Sequence, residues 1–259
     1  MGAQEDFLPG QAPPPRQPWD DGPPPPKPER MLLKAWWPAD DRGCRVTVAD
    51  LAAQMGGEVS WAEIRDDGWA EAWKDHFTRL VISDELAISP PWDVQDGDLV
   101  IEPGMAFGSG DHPTTRACLQ GVVRHAHAGQ ACLDVGCGSG ILALAAAKMG
   151  MVAVGIDIDP DAVTVARENA VHNSLQARFS DTPLEAVQGR YPLVVANVYA
   201  EVLSAMAPDL ARLCSGVMVL AGILADRAHL VEDALQQQGW QITRRDLEGE
   251  WVSLELRPL

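Results

Sequence analysis

An open α/β fold on a mostly parallel sheet is predicted by three stretches of this 259-residue chain. Leu133-Asp134-Val135 reads as a buried strand that runs into a glycine turn, Gly136-Cys137-Gly138-Ser139-Gly140, and then into a helix of small apolar residues from Leu142 to Met149. Met151 to Ile156 is a continuous apolar run, the pattern of a parallel strand covered on both faces, and Asp157 closes it. Leu193 to Ala196 is another such run. It ends in Asn197, at the carboxyl edge where open α/β sheets bind ligands.

Taken in order, residues 1–29 are proline-rich with little to bury, and read as a disordered or polyproline-II tail. Residues 30–66 read as part of a small α+β module: a strand at Met31–Trp37, a helix at Thr47–Met55 with Val48, Leu51, Ala52 and Met55 on one face, and a strand near Glu58–Ile64. Residues 67–95 hold a linker helix, with Trp69, Trp73 and Phe77 in an i, i+4, i+8 stripe, and a connecting strand at Arg79–Ile88. Residues 96–259 form the ligand-binding domain, which opens with a strand at Leu99–Glu102.

Within that domain, Gly104, Gly108 and Gly110 prevent regular structure. Asp111 or His112 then caps a helix that starts at Pro113 and runs to about His125. Asp159-Pro160 starts the next helix, with Ala162, Val163, Ala166 and Ala170 as its apolar stripe. A short strand follows near Ala177–Ser180. After the strand ending at Asn197 come a helix (Val202–Leu213), a strand (Gly216–Ala221), a helix (Ala225–Gln238) and a closing hairpin (Trp240–Leu247 and Glu250–Leu256). These complete seven strands, with antiparallel pairing at the end.

Net charge is −17, which repels a phosphate backbone and suits a basic polypeptide partner, so direct nucleic-acid binding is not expected. No apolar run is long enough to cross a membrane and no basic-then-apolar leader is present, so the expectation is a cytoplasmic protein without membrane contact, working as a monomer. The five cysteines are scattered, and no histidine cluster has ligand spacing. Neither a disulfide frame nor a metal site is expected.

The glycine turn decides the ligand class. A dinucleotide fingerprint places a third glycine where Ile141 stands, so a pyrophosphate binder is disfavoured. Asp134 before the first glycine and Asp157 at the end of the next strand suit a nucleoside cofactor, whose two ribose hydroxyls a carboxylate can accept. The alternative reading of the glycines is a tight turn. For Thr115 and Asn197 it is helix capping.

These residues resemble the class I S-adenosylmethionine-dependent methyltransferases, and in particular the PrmA family, which methylates ribosomal protein L11. The resemblance is carried by Glu102-Pro103-Gly104-Met105-Ala106-Phe107-Gly108-Ser109-Gly110-Asp111-His112-Pro113-Thr114-Thr115, the glycine turn, Gly155-Ile156-Asp157-Ile158-Asp159-Pro160 and Val195-Ala196-Asn197-Val198-Tyr199-Ala200. It implies a Rossmann-like sheet of seven strands with the last antiparallel, and S-adenosyl-L-methionine as cofactor. Its binding residues are then Phe107, Gly108, Thr115, Asp134, Gly136, Gly138, Gly140, Asp157 and Asn197, and Asn197 is also catalytic. The implied substrates are lysine ε-amines and an N-terminal α-amine of ribosomal protein L11; the alternative readings are a methyltransferase of the same fold acting on another protein lysine or a small amine, and a non-catalytic S-adenosylmethionine-binding regulator. In the family a ferredoxin-like module docks that substrate, and here the proline-rich tail replaces its first half.

Overall fold

The computed structural model describes residues 2–6, 32–36, 42–54, 56–60, 77–102 and 112–259, in a chain that divides into two compact units, Met1–Trp69 and Ala70–Leu259. In the first unit β1 (Gly2–Asp6) pairs antiparallel with β2 (Leu32–Trp36), Gly2 opposite Trp36 and Asp6 opposite Leu32, and α1 (Arg42–Gln54) follows. β1 corrects the reading of residues 1–29 as a tail throughout. Strand pairing is made by backbone groups, so the apolar β2 can recruit a polar partner strand. Residues 57–60 carry no regular structure, against the strand expected near Glu58–Ile64. Ile64, Trp69 and Trp73 lie outside the described residues, and Phe77 is not helical.

The second unit opens with a small sheet of β3 (Leu80–Ser83), β4 (Leu86–Ser89) and β5 (Leu99–Val100). The turn at Asp84-Glu85 splits into a hairpin what the sequence reads as one strand. Asp98 fastens this sheet: its carboxylate accepts hydrogen bonds from Arg79 Nε at 2.7 Å and Nη2 at 2.8 Å, from the Gln95 N–H at 2.9 Å and from the Ser89 hydroxyl.

The main sheet has seven strands in the order β11-β12-β10-β9-β6-β7-β8. They are β6 (Ala131–Val135), β7 (Val152–Ile156), β8 (Ala177–Ser180), β9 (Tyr191–Asn197), β10 (Cys214–Leu224), β11 (Trp240–Glu248) and β12 (Trp251–Pro258). β12 alone runs against the others, as expected for this fold class. The helices are α2 (Pro113–His125), α3 (Ile141–Lys148), α4 (Pro160–His172), α5 (Ala200–Leu213) and α6 (Ala228–Gln237). Two caps fix helix starts: the His112 ring accepts from the Thr114 N–H, and Asp159 accepts from Asp161, each ahead of a proline at the first helical position.

Alternate residues of the central strands feed two cores. Val195, Val217 and Val219 face Leu119, Val122 and Leu144 of α2 and α3, while Val194, Ala196, Met218 and Leu220 face Leu203, Leu210, Val231 and Leu235 of α5 and α6. Burial of each such valine, leucine or methionine side chain contributes about 1.5–3 kcal/mol. From β6 the chain moves outward through β7 to β8, then returns to β9 on the other side of β6. That reversal opens a crevice at the carboxyl ends of β6 and β9. Among the described residues, no helix is long and apolar enough to cross a membrane.

Asn173, the C-cap of α4, joins the small sheet to the large one. Its Oδ1 accepts from the Val100 N–H at 2.7 Å, and its Nδ2 donates to the carbonyls of Val100 at 2.6 Å and Asn169 at 2.8 Å. Asn173→Ala leaves both Val100 groups unpaired and is expected to lower stability by about 1–3 kcal/mol. Urea denaturation measures this, and an unchanged midpoint and slope contradict it.

Candidate functional site

The glycine turn between β6 and α3 lies at the crevice. Gly136, Gly138 and Gly140 all have positive φ. At Gly136 the requirement is twofold: φ is +71°, and a Cβ would stand 2.6 Å from Cγ1 of Val198, the residue after Asn197. The turn therefore folds directly against the end of β9.

Four acceptors fix its course. The Ile156 carbonyl takes the N–H groups of both Gly136 and Cys137 at 2.9 Å. Asp157 Oδ2 takes the Gly138 N–H at 2.9 Å, while its Oδ1 takes the Asp159 N–H at 3.0 Å. Asp134 Oδ2 takes the Ala143 N–H in the first turn of α3 at 3.0 Å, and Cys137 O takes the Gly140 N–H at 2.8 Å. From below, Asn169 Nδ2 donates to the Ser139 carbonyl at 2.9 Å.

Asp134 is fully buried, and its Oδ1 has no hydrogen-bond partner among the described residues. Burial pushes its carboxyl up to about 7, opposed by the Ala143 N–H and reinforced by the charge of Asp157. Beneath the turn it acts as a support rather than as part of the open surface. Burial raises the Cys137 thiol as well, so the cysteine inside the turn is a packing group and not a nucleophile.

Across the crevice, Thr115 in the first turn of α2 is buried, and its hydroxyl accepts from Asn197 Nδ2 at 3.1 Å. This bond fixes the Asn197 amide and leaves Oδ1 as its remaining acceptor. Gly222, with φ +83°, lets β10 pass so close that a Cβ there would meet the Val198 carbonyl oxygen at 2.6 Å. The His112 ring packs edge-on to Trp251 with centroids 4.9 Å apart, and His125 Nε2 lies 2.8 Å from Glu255 Oε2. Both histidines tie α2 to its surroundings.

Of the residues singled out from sequence, Asp134, Gly136, Gly138, Gly140 and Asp157 come together on one side of the crevice, and Thr115 and Asn197 on the other. Gly136 and Val198 join the two sides. Phe107 and Gly108 lie outside the described residues. The part played by Asn169 was not anticipated, nor were the close contacts that Val198 makes with Gly136 and Gly222. Asn169 had a signal: it falls three residues after Ala166 on the apolar stripe of α4, where a polar side chain needs a buried partner.

Comparison with known proteins places this arrangement. A family model described as ribosomal protein L11 methyltransferase (PrmA) matches residues 24–258. The ribosomal protein L11 methyltransferase of Geobacter metallireducens is 46% identical over 199 residues, which are 74% of this chain and 66% of that protein. Its counterpart from Thermus thermophilus is 43% identical over 204 residues, 76% and 80% of the two chains. The crystal structure of ribosomal protein L11 methylase from Lactobacillus delbrueckii subsp. bulgaricus superposes with a TM-score of 0.65 at 33% identity, covering 70% of this chain and 99% of its own.

Asp134 makes stability depend on pH. Its folded-state carboxyl titrates at about 7 against 3.8 ordinarily, so between those values the folded protein holds a proton that the unfolded chain has released. Stability should therefore fall as pH rises from about 4 to about 7, by an amount on the order of 4 kcal/mol, and level off above. Asp134→Asn keeps an acceptor for the Ala143 N–H without the charge, and should flatten that slope in urea denaturation across pH 5 to 8. A slope equal to wild type contradicts the assignment.

Proposed function

The chain belongs to the ribosomal protein L11 methyltransferase (PrmA) family, and from that premise and the geometry of the crevice we propose that it transfers methyl groups from S-adenosyl-L-methionine to lysine ε-amines and the N-terminal α-amine of ribosomal protein L11. The single observation that carries the reading is the Thr115–Asn197 bond, which holds the amide at the end of β9 and leaves its Oδ1 as the remaining acceptor.

The residues present fit the cofactor. The turn offers backbone that no Cβ obstructs, and the Asp157 oxygens keep lone pairs beyond those used by Gly138 and Asp159. Asp157 would accept the ribose hydroxyls, and the turn with the first turn of α2 would hold the rest. When bound, S-adenosyl-L-methionine supplies an electrophilic methyl group, so the protein needs no strong acid.

What remains for the chain is to present a neutral amine. Asn197 Oδ1 accepts an N–H of the target and directs the nitrogen lone pair, while Thr115 holds the amide in place. Such alignment can supply up to ~7–11 kcal/mol of the barrier. Lysine has a reference pKa of about 10.4, so the target must give up a proton, which passes to water. The net charge of −17 favours capture of a basic ribosomal protein in the cytoplasm.

The test is mass spectrometry of purified ribosomal protein L11 after incubation with the protein and S-adenosyl-L-methionine. Mass steps of one methylene each, located on lysines and the N-terminus, are expected from wild type. Asn197→Ala should slow their appearance by about 10²-fold while changing cofactor affinity far less. An unmodified L11 overturns the substrate assignment, and equal rates overturn the role of Asn197.

A further inference from the structure

Asp134 has a buried oxygen that the scheme above leaves unused. Its Oδ2 takes the Ala143 N–H at 3.0 Å, while Oδ1 is closed to water and has no hydrogen-bond partner among the described residues. The strand registers fix its depth. Asp134 stands opposite Val195 of β9 and Gly155 of β7, which precede Asn197 and Asp157 by two residues each, and it precedes Gly136 by two itself. All three crevice residues therefore lie one pleat above it, about 7 Å along the strands. The titratable groups that face it are Cys118 of α2, Cys132 of β6, Cys137 of the turn and Asp157 after β7. Burial keeps the three thiols neutral, β9 presents the apolar Val195, and α3 supplies only the Ala143 N–H. None of these groups is a cation.

A carboxylate in that setting has one donor, no water and a like charge nearby, which makes ionisation costly. Asp134 accordingly keeps its proton up to about pH 7. A positive charge arriving overhead reverses the balance. One pleat away and with little water between, such a charge is weakly screened, and it needs no contact with the carboxyl to act. The cofactor proposed for the turn carries this charge on its sulfonium, whereas the thioether left after methyl transfer does not.

We propose that Asp134 determines specificity as a buried charge switch, neutral beneath the empty or product-bound turn and ionised beneath the sulfonium, so that the site prefers the cofactor to its demethylated product. The inference rests on the S-adenosyl-L-methionine reading above and names the residue that tells the two forms of the ligand apart. When the sulfonium binds, the Asp134 O–H bond breaks and the proton leaves to water. Once the methyl group is transferred and the positive charge is gone, the carboxyl takes a proton back. The direction with pH follows. Below about 7, binding the sulfonium must expel a proton, and above it the carboxylate is already charged. Preference for the sulfonium therefore grows as pH rises toward 7 and levels off beyond.

Calorimetric titration of the full chain with S-adenosyl-L-methionine and with S-adenosyl-L-homocysteine, between pH 5 and 7, tests the switch. The ratio of the two affinities should move toward the sulfonium form by roughly tenfold over that range, and Asp134→Asn, which cannot ionise, should hold it constant. A second reading needs no variant. At pH 6, wild type titrated in two buffers of different ionisation enthalpy should release protons with the sulfonium form and far fewer with the thioether. A wild-type ratio independent of pH, equal proton release with both ligands, or a ratio that climbs in folded Asp134→Asn as in wild type overturns the inference alone. Failure of folded wild type to bind either ligand overturns the cofactor reading and this inference with it.

Discussion

The Asp157 carboxylate is the constraint on which the crevice depends. One oxygen holds the Gly138 N–H in the glycine turn, and the other holds the Asp159 N–H at the head of α4, so a single side chain sets the turn after β6 relative to the end of β7. Charge-assisted bonds to backbone N–H groups are among the stronger ones available. With Ile156 fixing Gly136 and Cys137, and Asn169 fixing Ser139, the turn is shaped before any ligand arrives. A preformed cradle spares the ordering cost that a flexible loop would meet on binding.

The second half of the site is assembled by close backbone approach. Val198 is pressed between Gly136 and Gly222, and a side chain at either glycine would collide with it. Strand β9 consequently ends at a defined depth, and Asn197 reaches Thr115 from there. The glycine turn and the Asn197 amide are thus mechanically linked through three residues, two of which must be glycine. The buried Asp134 adds a further coupling, because its charge responds to that of Asp157 across the turn.

Much of this was legible in the sequence, for identifiable reasons. Helices α2 and α4 could be placed because His112-Pro113 and Asp159-Pro160 carry capping chemistry that acts locally. β7 and β9 could be placed because each is a run of apolar residues closed by a polar one at the ligand edge, Asp157 just after β7 and Asn197 at the end of β9. β3 and β4 merged into one expected strand because Asp84-Glu85 lacks glycine, proline or asparagine to announce a turn. β1 escaped notice because its pairing is a backbone matter with a segment far along the chain. The supporting role of Asp134 depends on burial, which no local pattern encodes.

The most direct measurement is calorimetric titration of S-adenosyl-L-methionine into wild type and Asp157→Ala, with circular dichroism to confirm that the variant remains folded. Asp157→Ala removes the anchor of Gly138 and the proposed acceptor for the ribose together, so loss of detectable binding in a folded variant is the expected result. Wild-type affinity in folded Asp157→Ala would contradict the central role given to this carboxylate, both as organiser of the turn and as holder of the cofactor.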